Sequence, residues 1–266
     1  MNSLPVSADR RLGQHFLVDR NVLSVIERLA ELDRDDVVLE VGPGLGILTE
    51  RLAELTSHVH AIEIDEQLRP HLDERLHGRT NVTVTYEDAM TADLVRLDPA
   101  PTKLVANLPY SIATPLLMES AHTLPHVNRW CVMVQREVAD RILAEPASRA
   151  YGAVSVMLQL TARRTGFHPV ARTCFNPVPN VDSALVSLSR ERTWGEEYGS
   201  LRRLVGGAFS HRRKTLVNSL ALATDITKHD AVAGLHALGR QANVRAEELV
   251  PEEFMALRAA LDSITP

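Results

Sequence analysis

The chain contains few cysteines, few lysines and no long apolar run. Its 266 residues include two cysteines, Cys131 and Cys174, too few for a disulfide framework or a cysteine-based metal cluster. No apolar stretch approaches the roughly 20 residues that a membrane-spanning helix requires. The N-terminus lacks the basic start and apolar stretch of a secretory signal. We therefore expect a cytoplasmic protein with no metal and no membrane association.

Acidic residues outnumber basic ones, but their distribution is uneven. The net charge of −5 disfavours a nucleic-acid partner, because phosphates are bound by lysine and arginine. Residues 1–128 hold 11 basic and 20 acidic side chains, residues 129–195 hold 9 and 5, and residues 196–266 hold 9 and 9. The basic excess of the middle segment can therefore still form a face that binds RNA.

The first two thirds of the chain alternate short apolar segments with segments of helical periodicity. We predict strands at Val37–Val41, Val59–Ile64, Val82–Tyr86, Lys103–Asn107, Arg129–Gln135 and Leu185–Leu188. Helices are predicted at Ile47–Leu55, Leu68–Leu76 and Pro115–Ala121. This order indicates an α/β fold in which a parallel, Rossmann-like sheet is covered by helices on both faces.

The end of the chain has helical patterns only. The polar stretch Arg190–Gly199 suits a linker, and it is followed by predicted helices at Ser200–Phe209, Lys214–Ala223, Ala231–Leu238 and Pro251–Leu261. We therefore predict two domains, a catalytic α/β domain over residues 1–192 and a small all-α domain over residues 193–266.

A glycine-rich turn follows the first predicted strand and opens a helix. Gly42, Gly44 and Gly46 allow a nucleotide-like ligand to approach the backbone closely. The spacing is G-x-G-x-G, whereas a dinucleotide-binding turn has G-x-G-x-x-G. Glu40, two residues before the first glycine, suits a positively charged ligand such as S-adenosylmethionine and repels a pyrophosphate.

Acidic residues end the next two predicted strands. Glu63 is placed to accept hydrogen bonds from both ribose hydroxyls of such a cofactor, and Asp88 from its adenine amine. A tight turn with solvated acids is the alternative. Because these features end three successive strands, where open α/β sheets bind ligands, we favour a cofactor site.

The tetrapeptide Asn107-Leu108-Pro109-Tyr110 follows the fourth predicted strand. The lone pair of an exocyclic amine is delocalised into its ring, so an acceptor for the amine protons helps to aim it at a methyl group. The Asn107 side-chain oxygen and the Leu108 carbonyl are such acceptors, Pro109 stiffens the turn, and Tyr110 offers a flat surface to a flipped-out base. An ordinary β-turn is the alternative. Cys174 lacks the basic neighbour or helix start that would make it a nucleophile.

These motifs resemble those of the ribosomal RNA adenine N6,N6-dimethyltransferases, and the resemblance covers nearly the whole chain. Residues 13–17 (GQHFL) are similar to the family's N-terminal motif, and residues 107–110 (NLPY) to its catalytic motif. Residues 175–183 (FNPVPNVDS) resemble its target-base loop, and residues 209–216 (FSHRRKTL) the start of its C-terminal helical domain.

The resemblance implies an enzyme that uses S-adenosyl-L-methionine. It places the cofactor contacts on His15, Leu17, Gly42, Gly44, Glu63, Asp88 and Asn107. It implies that Tyr110 and Phe175 stack on the target adenine, and that Arg212, Arg213 and Lys214 bind RNA. A solvated surface is the alternative for these three basic residues.

The small-subunit (16S rRNA) branch of this family dimethylates two adjacent adenosines near the 3′ end of small-subunit rRNA. The motifs at residues 181–183 and 212–216 favour that branch, with rRNA and the immature small ribosomal subunit as partners and a monomeric enzyme. Three alternatives stay open. They are a large-subunit rRNA adenine methyltransferase conferring macrolide resistance, a non-catalytic ribosome-assembly factor and a nicotinamide dehydrogenase, the last disfavoured by the glycine spacing and Glu40.

Overall fold

The computed structural model describes residues 8–9 and 12–264, and a seven-stranded sheet forms the centre of the fold. The strands are β1 (Phe16–Leu17), β2 (Val37–Val41), β3 (His58–Glu63), β4 (Val82–Tyr86), β5 (Lys103–Asn107), β6 (Arg129–Gln135), β7 (Ala162–Val170), β8 (Phe175–Asn176) and β9 (Ser183–Arg190). The helices are α1 (Asn21–Ala30), α2 (Ile47–Leu55), α3 (Arg69–Arg75), α4 (Ala113–Thr123), α5 (Arg136–Ile142), α6 (Ala153–Thr161), α7 (Glu197–Phe209), α8 (Leu216–Ala223), α9 (Lys228–Ala237) and α10 (Pro251–Ile264).

The strand order of the large sheet is β4-β3-β2-β5-β6-β9-β7. Strands β4, β3, β2, β5 and β6 pair in parallel, so their carboxyl ends meet at one edge. The chain runs outward from β2 to β4 and then returns to β5 on the other side of β2. Open α/β sheets bind their ligands at such a reversal of strand order.

The sheet differs from the predicted one at its far edge. Strand β9 is antiparallel to β6, so the prediction of an all-parallel sheet is wrong there. Strand β7 was not predicted, because its polar Arg163-Arg164-Thr165 start and its Gly166 and Pro169 are atypical of a buried strand. The predicted bounds of β2, α2, β4, β5 and β6 are confirmed.

Contacts divide the chain into two compact units, and this division differs from the predicted domains. The first unit comprises the chain up to Ala139 together with Arg163–Arg190, and the second comprises Asp140–Ala162 and the chain from Glu191 onward. The break after Arg190 lies close to the predicted boundary, but residues 140–162 were assigned to the first domain. The physical reason for their grouping is Tyr151, which is fully buried. It packs its ring 5.8 Å from Phe209 and donates a hydrogen bond to the Leu249 carbonyl at 2.9 Å.

The predicted linker Arg190–Gly199 is also corrected. Helix α7 already begins at Glu197. Ahead of it, the Trp194 indole donates a hydrogen bond to the Thr161 hydroxyl at 2.7 Å. A segment anchored in this way does not behave as a free connection.

Two absences apply to the described part of the chain. No helix in it is both long and apolar enough to span a bilayer. In the same residues, no group of three or more His, Cys, Asp or Glu side chains is arranged to hold a metal ion.

Candidate active site

A pocket of about 1190 Å³, part of it open to solvent, lies at the carboxyl ends of β2, β3, β4 and β5. The pocket spans the point where the strand order reverses, the place at which open α/β sheets bind ligands.

The glycine turn after β2 uses backbone conformations that side chains rarely adopt. Gly42 and Gly44 have φ values of 76° and 58°. A Cβ atom on Gly42 would lie 3.1 Å from the ring of Pro109, and one on Gly44 would lie 2.9 Å from the ring of Phe16. The glycines therefore let the turn pack directly against both the catalytic tetrapeptide and the N-terminal motif.

Two carboxylates line the pocket behind this turn. Glu63 is 4% exposed, and its carboxylate accepts hydrogen bonds from the amides of Gly44 at 3.1 Å and Asp65 at 3.0 Å. Burial raises the pKa of Glu63, while these amide hydrogen bonds lower it. Glu63 therefore fixes the glycine turn and keeps acceptor capacity for a ligand.

Of the two acids, Glu40 has the more strongly shifted pKa. It is 1% exposed, and its Oε2 atom has no hydrogen-bond partner within the described residues. The pKa of Glu40 is raised to about 8, and burial is the largest cause. The Thr49 side chain opposes this shift, whereas the negative charge of Glu63 adds to it. A buried carboxyl oxygen without a partner is unfavourable unless a ligand or water completes it, and Glu40 lines the pocket.

The tetrapeptide follows β5 into the same pocket. The Asn107 Nδ2 atom donates a hydrogen bond to the His15 carbonyl at 3.3 Å, and the Leu108 amide donates to the Met133 carbonyl at 3.1 Å. Within the described residues, the Asn107 Oδ1 and Leu108 carbonyl oxygens take part in no hydrogen bond. Both acceptors therefore remain available, while the donors of the same two residues are used to hold them in place.

Tyr110 is held at its hydroxyl. The Tyr110 and Ser183 hydroxyls are 2.8 Å apart and hydrogen-bonded, and burial raises the pKa of Tyr110. The tyrosine is therefore neutral at physiological pH, and one end of its ring is anchored to β9.

The N-terminal motif forms one wall of the pocket. Strand β1 pairs antiparallel with β8, with Phe16 opposite Asn176 and Leu17 opposite Phe175. Next to this pair, His15 Nδ1 lies 2.8 Å from the Pro177 carbonyl oxygen, and its ring centroid lies 5.7 Å from that of Tyr110. Because a carbonyl accepts, His15 carries its proton on Nδ1.

Phe175 is buried in this structure, and its predicted stacking role stays a prediction. Phe175 is 2% exposed and belongs to a hydrophobic cluster with Leu17, Val22 and Ile26. It is not among the residues that line the pocket. Pairing with β1 turns the Phe175 ring into the core, and the ring that faces Tyr110 is that of His15.

The other predicted catalytic and cofactor residues all line the pocket. They are His15, Leu17, Gly42, Gly44, Glu63, Asp88, Asn107, Leu108, Pro109 and Tyr110. Two further residues line the pocket that were not predicted as site residues, Ile64, which is 50% exposed beside Glu63, and the buried Leu68. Ile64 could have been predicted from its position, because it is an apolar residue directly after Glu63, the acid that ends β3. The flat ring of a ligand needs such an apolar surface.

The three predicted RNA-binding residues lie in the second unit, between α7 and α8. All three are exposed. Arg212 donates a hydrogen bond to the Arg149 carbonyl at 2.8 Å and lies 3.7 Å from a Glu247 carboxylate oxygen. Within the described residues, the Arg213 and Lys214 side chains make no ion pair, so these two are the more accessible cations.

Comparison with known proteins decides the family. A model of the ribosomal RNA adenine dimethylase family matches residues 6–258. The chain belongs to the ribosomal RNA adenine dimethylase family. Two relatives of this dimethylase are named ribosomal RNA small subunit methyltransferase A. The Rubrobacter xylanophilus protein is 44% identical over 93% of both chains, and the Lactiplantibacillus plantarum protein is 40% identical over 98% of this chain and 92% of its own.

Solved structures agree with the fold of the dimethylase. A dimethyladenosine transferase from Plasmodium falciparum has a TM-score of 0.79 at 26% identity, covering 94% of this chain and 98% of its own. The 23S rRNA methyltransferase ErmE has a TM-score of 0.68 at 29% identity, covering 93% of this chain and 99% of its own. The predicted family and the class I methyltransferase fold are thereby confirmed.

Proposed function

We propose that this dimethylase transfers methyl groups from S-adenosyl-L-methionine to N6 of two adjacent adenosines near the 3′ end of small-subunit rRNA during ribosome assembly. The observation that carries the proposal is the pocket in which Asn107 and Leu108 present two acceptors that no described residue pairs, beside the buried acids Glu40 and Glu63. The names of the two curated relatives support the small subunit as substrate.

The residues of the pocket fit this cofactor. The unpartnered oxygen of Glu40 suits the cofactor's positive charge, and Glu63 and Asp88 are positioned to accept from its ribose and adenine. Gly42 and Gly44 let the turn pack closely against Pro109 and Phe16, which line the same pocket. When bound, S-adenosyl-L-methionine supplies a methyl group on a sulfonium.

The residues of the tetrapeptide act on the target amine. Asn107 Oδ1 and the Leu108 carbonyl oxygen accept hydrogen bonds from its two N–H groups, which draws the nitrogen toward sp³ geometry and aims its lone pair. The ring of Tyr110, anchored through Ser183, stacks on the flipped-out base, a contact worth about 1–3 kcal/mol.

We further propose that Arg213 and Lys214 contact rRNA phosphates and that Arg212 assists them. The enzyme acts as a cytoplasmic monomer.

Replacing Gly44 by alanine should weaken cofactor binding about tenfold. Its left-handed backbone costs an alanine about 1–2 kcal/mol, and the new Cβ atom would lie 2.9 Å from the Phe16 ring, so the pocket wall must shift. Calorimetric titration with S-adenosyl-L-methionine measures the change. Gly78→Ala is the matched control, because Gly78 has a φ of 77° but no atom within 4 Å of an added Cβ. Equal cofactor affinity in the two variants would contradict the role of Gly44.

The decisive experiment maps the modified nucleotides. The protein is incubated with radiolabelled cofactor and unmethylated small subunits, and primer extension then locates the methylated adenosines. We expect stops at two adjacent adenosines near the 3′ end of the small-subunit rRNA. The similarity to ErmE keeps large-subunit methylation as a second candidate, and stops confined to large-subunit rRNA would favour it. Binding to small subunits without label transfer would instead indicate a non-catalytic assembly factor.

A further inference from the structure

The side chain of Gln14 links the N-terminal wall of the pocket, residues 12–17, to the segment that follows β3. Its Nε2 atom donates a hydrogen bond to Asp65 Oδ2 at 2.7 Å, and its Oε1 atom accepts one from the Asp9 amide at 2.8 Å. A backbone amide only donates and an ionised carboxylate only accepts, so these two partners fix which way the Gln14 side-chain amide points. Gln14 is half-buried and lines the pocket.

Asp65 connects this contact to Glu63, the acid assigned to the cofactor ribose. The backbone amide of Asp65 donates to Glu63 Oε1 at 3.0 Å, and Asp65 Oδ1 accepts from the Gln67 amide at 3.0 Å. The other Glu63 oxygen accepts from the Gly44 amide at 3.1 Å. Asp65 therefore holds Gln14 with its side chain and orients Glu63 with its backbone.

The two residues after Gln14 attach the same wall to other parts of the site. The His15 carbonyl accepts a hydrogen bond from Asn107 Nδ2 at 3.3 Å. The buried Phe16 ring belongs to an apolar cluster with Leu68, which lies in the segment after β3. The wall is therefore joined to the catalytic tetrapeptide through its backbone and to the cofactor side through Gln14 and Phe16.

The hydrogen bond between Gln14 and Asp65 is the charged one among these contacts. A donor on a carboxylate forms a shorter and stronger hydrogen bond than a donor on a neutral acceptor, and this bond is short and partly buried. It joins two residues that are 51 positions apart in the sequence. Its loss therefore releases the polar attachment of the wall to the cofactor side.

We propose that Gln14 and Asp65 are positioning residues for the cofactor, and that their hydrogen bond holds the N-terminal wall and Glu63 in one fixed arrangement. The inference rests on the proposed function, which supplies S-adenosyl-L-methionine as the ligand. A wall that is ordered before binding spares the cofactor the entropic cost of ordering it. Without the hydrogen bond, part of the binding free energy is spent on that ordering.

Calorimetric titration of the full-length protein with S-adenosyl-L-methionine tests this role. Gln14→Ala removes the donor to Asp65 and should weaken binding about tenfold, the lower range for a hydrogen bond to a charged group. Gln14→Glu should weaken it further, because it places a second carboxylate against Asp65. Gln67→Ala is the matched control, since Gln67 is exposed and alanine keeps the backbone amide that donates to Asp65. Its affinity should stay within about twofold of that of the unmodified protein.

A double variant, Gln14→Glu with Asp65→Asn, separates positioning from a general effect on the fold. It exchanges the amide and the carboxylate at unchanged net charge. The amide at position 65 then donates to the carboxylate at position 14, while the acceptors for the Asp9 and Gln67 backbone amides are retained. We expect most of the affinity lost in Gln14→Glu to return.

A double variant that binds no better than Gln14→Glu would overturn the positioning role. Equal affinities of Gln14→Ala and Gln67→Ala would overturn it as well. Both results presuppose that the unmodified protein binds S-adenosyl-L-methionine in the same titration. Absence of that binding would overturn the proposed function itself, so the two failures are distinguishable.

Discussion

Asn107→Ala should lower methyl transfer by about 10²- to 10³-fold while leaving cofactor affinity within a few-fold of the unmodified protein. The expected magnitude is that of removing one preorganised hydrogen-bonding group from a transition state. Asn107 is half-buried at the end of β5, and its Nδ2 atom is already bonded to the His15 carbonyl. Its Oδ1 atom is therefore turned away from that carbonyl and is the acceptor that alanine lacks.

Single-turnover transfer to small subunits measures the chemical step, and calorimetry with S-adenosyl-L-methionine measures cofactor binding. Asn107→Asp is an informative companion, because it keeps an acceptor at the Oδ1 position but replaces the amide donor to His15 by a second oxygen and adds a negative charge. We expect it to retain more activity than Asn107→Ala only if acceptance, not orientation, dominates. Equal losses of cofactor affinity and transfer in Asn107→Ala would show that Asn107 acts mainly on the cofactor.

The sequence predicts the centre of this fold better than its edges. Strand β2 is fully buried and β5 is buried except at Asn107, and the near-continuous apolar runs of both strands mark them clearly. Strands β1 and β8 have two residues each, too few for any periodicity. Helix α6 was not predicted, and its grouping with the C-terminal helices depends on where Tyr151 packs, a tertiary contact that has no local signal.

The candidate site shows the same limit. The glycines, acids and tetrapeptide were predictable because each follows a strand, and parallel strands end at one edge of the sheet. The burial of Phe175 was not predictable, because its motif predicts a loop position but not the direction of its ring. Pairing with β1 decides that direction, and the ring is buried. The position of His15 opposite Tyr110 was missed for the same reason.

Glu40 makes cofactor affinity depend on pH. Burial raises its pKa to about 8, so in the free protein it holds a proton at neutral pH. A raised carboxyl pKa means that the neutral form is the stable one in the fold. The contribution of protonated Glu40 to the free energy of unfolding is therefore present at acidic pH and is lost as pH rises through about 8. A cationic ligand reverses the preference, because it stabilises the ionised carboxylate.

The affinity for S-adenosyl-L-methionine should therefore rise about tenfold per pH unit from about pH 6 toward the pKa of Glu40 and level off above it, since binding then releases one proton per cofactor. Calorimetry in two buffers of different ionisation enthalpy measures the number of protons released.

Burial also raises the pKa of Glu63, so Glu40→Gln is the variant that separates the two acids. Its affinity should be lower above pH 8 and nearly independent of pH below it. If Glu40→Gln keeps the full pH dependence, the released proton comes from Glu63 or another group, and Glu40 is not the carboxylate that meets the cofactor's positive charge.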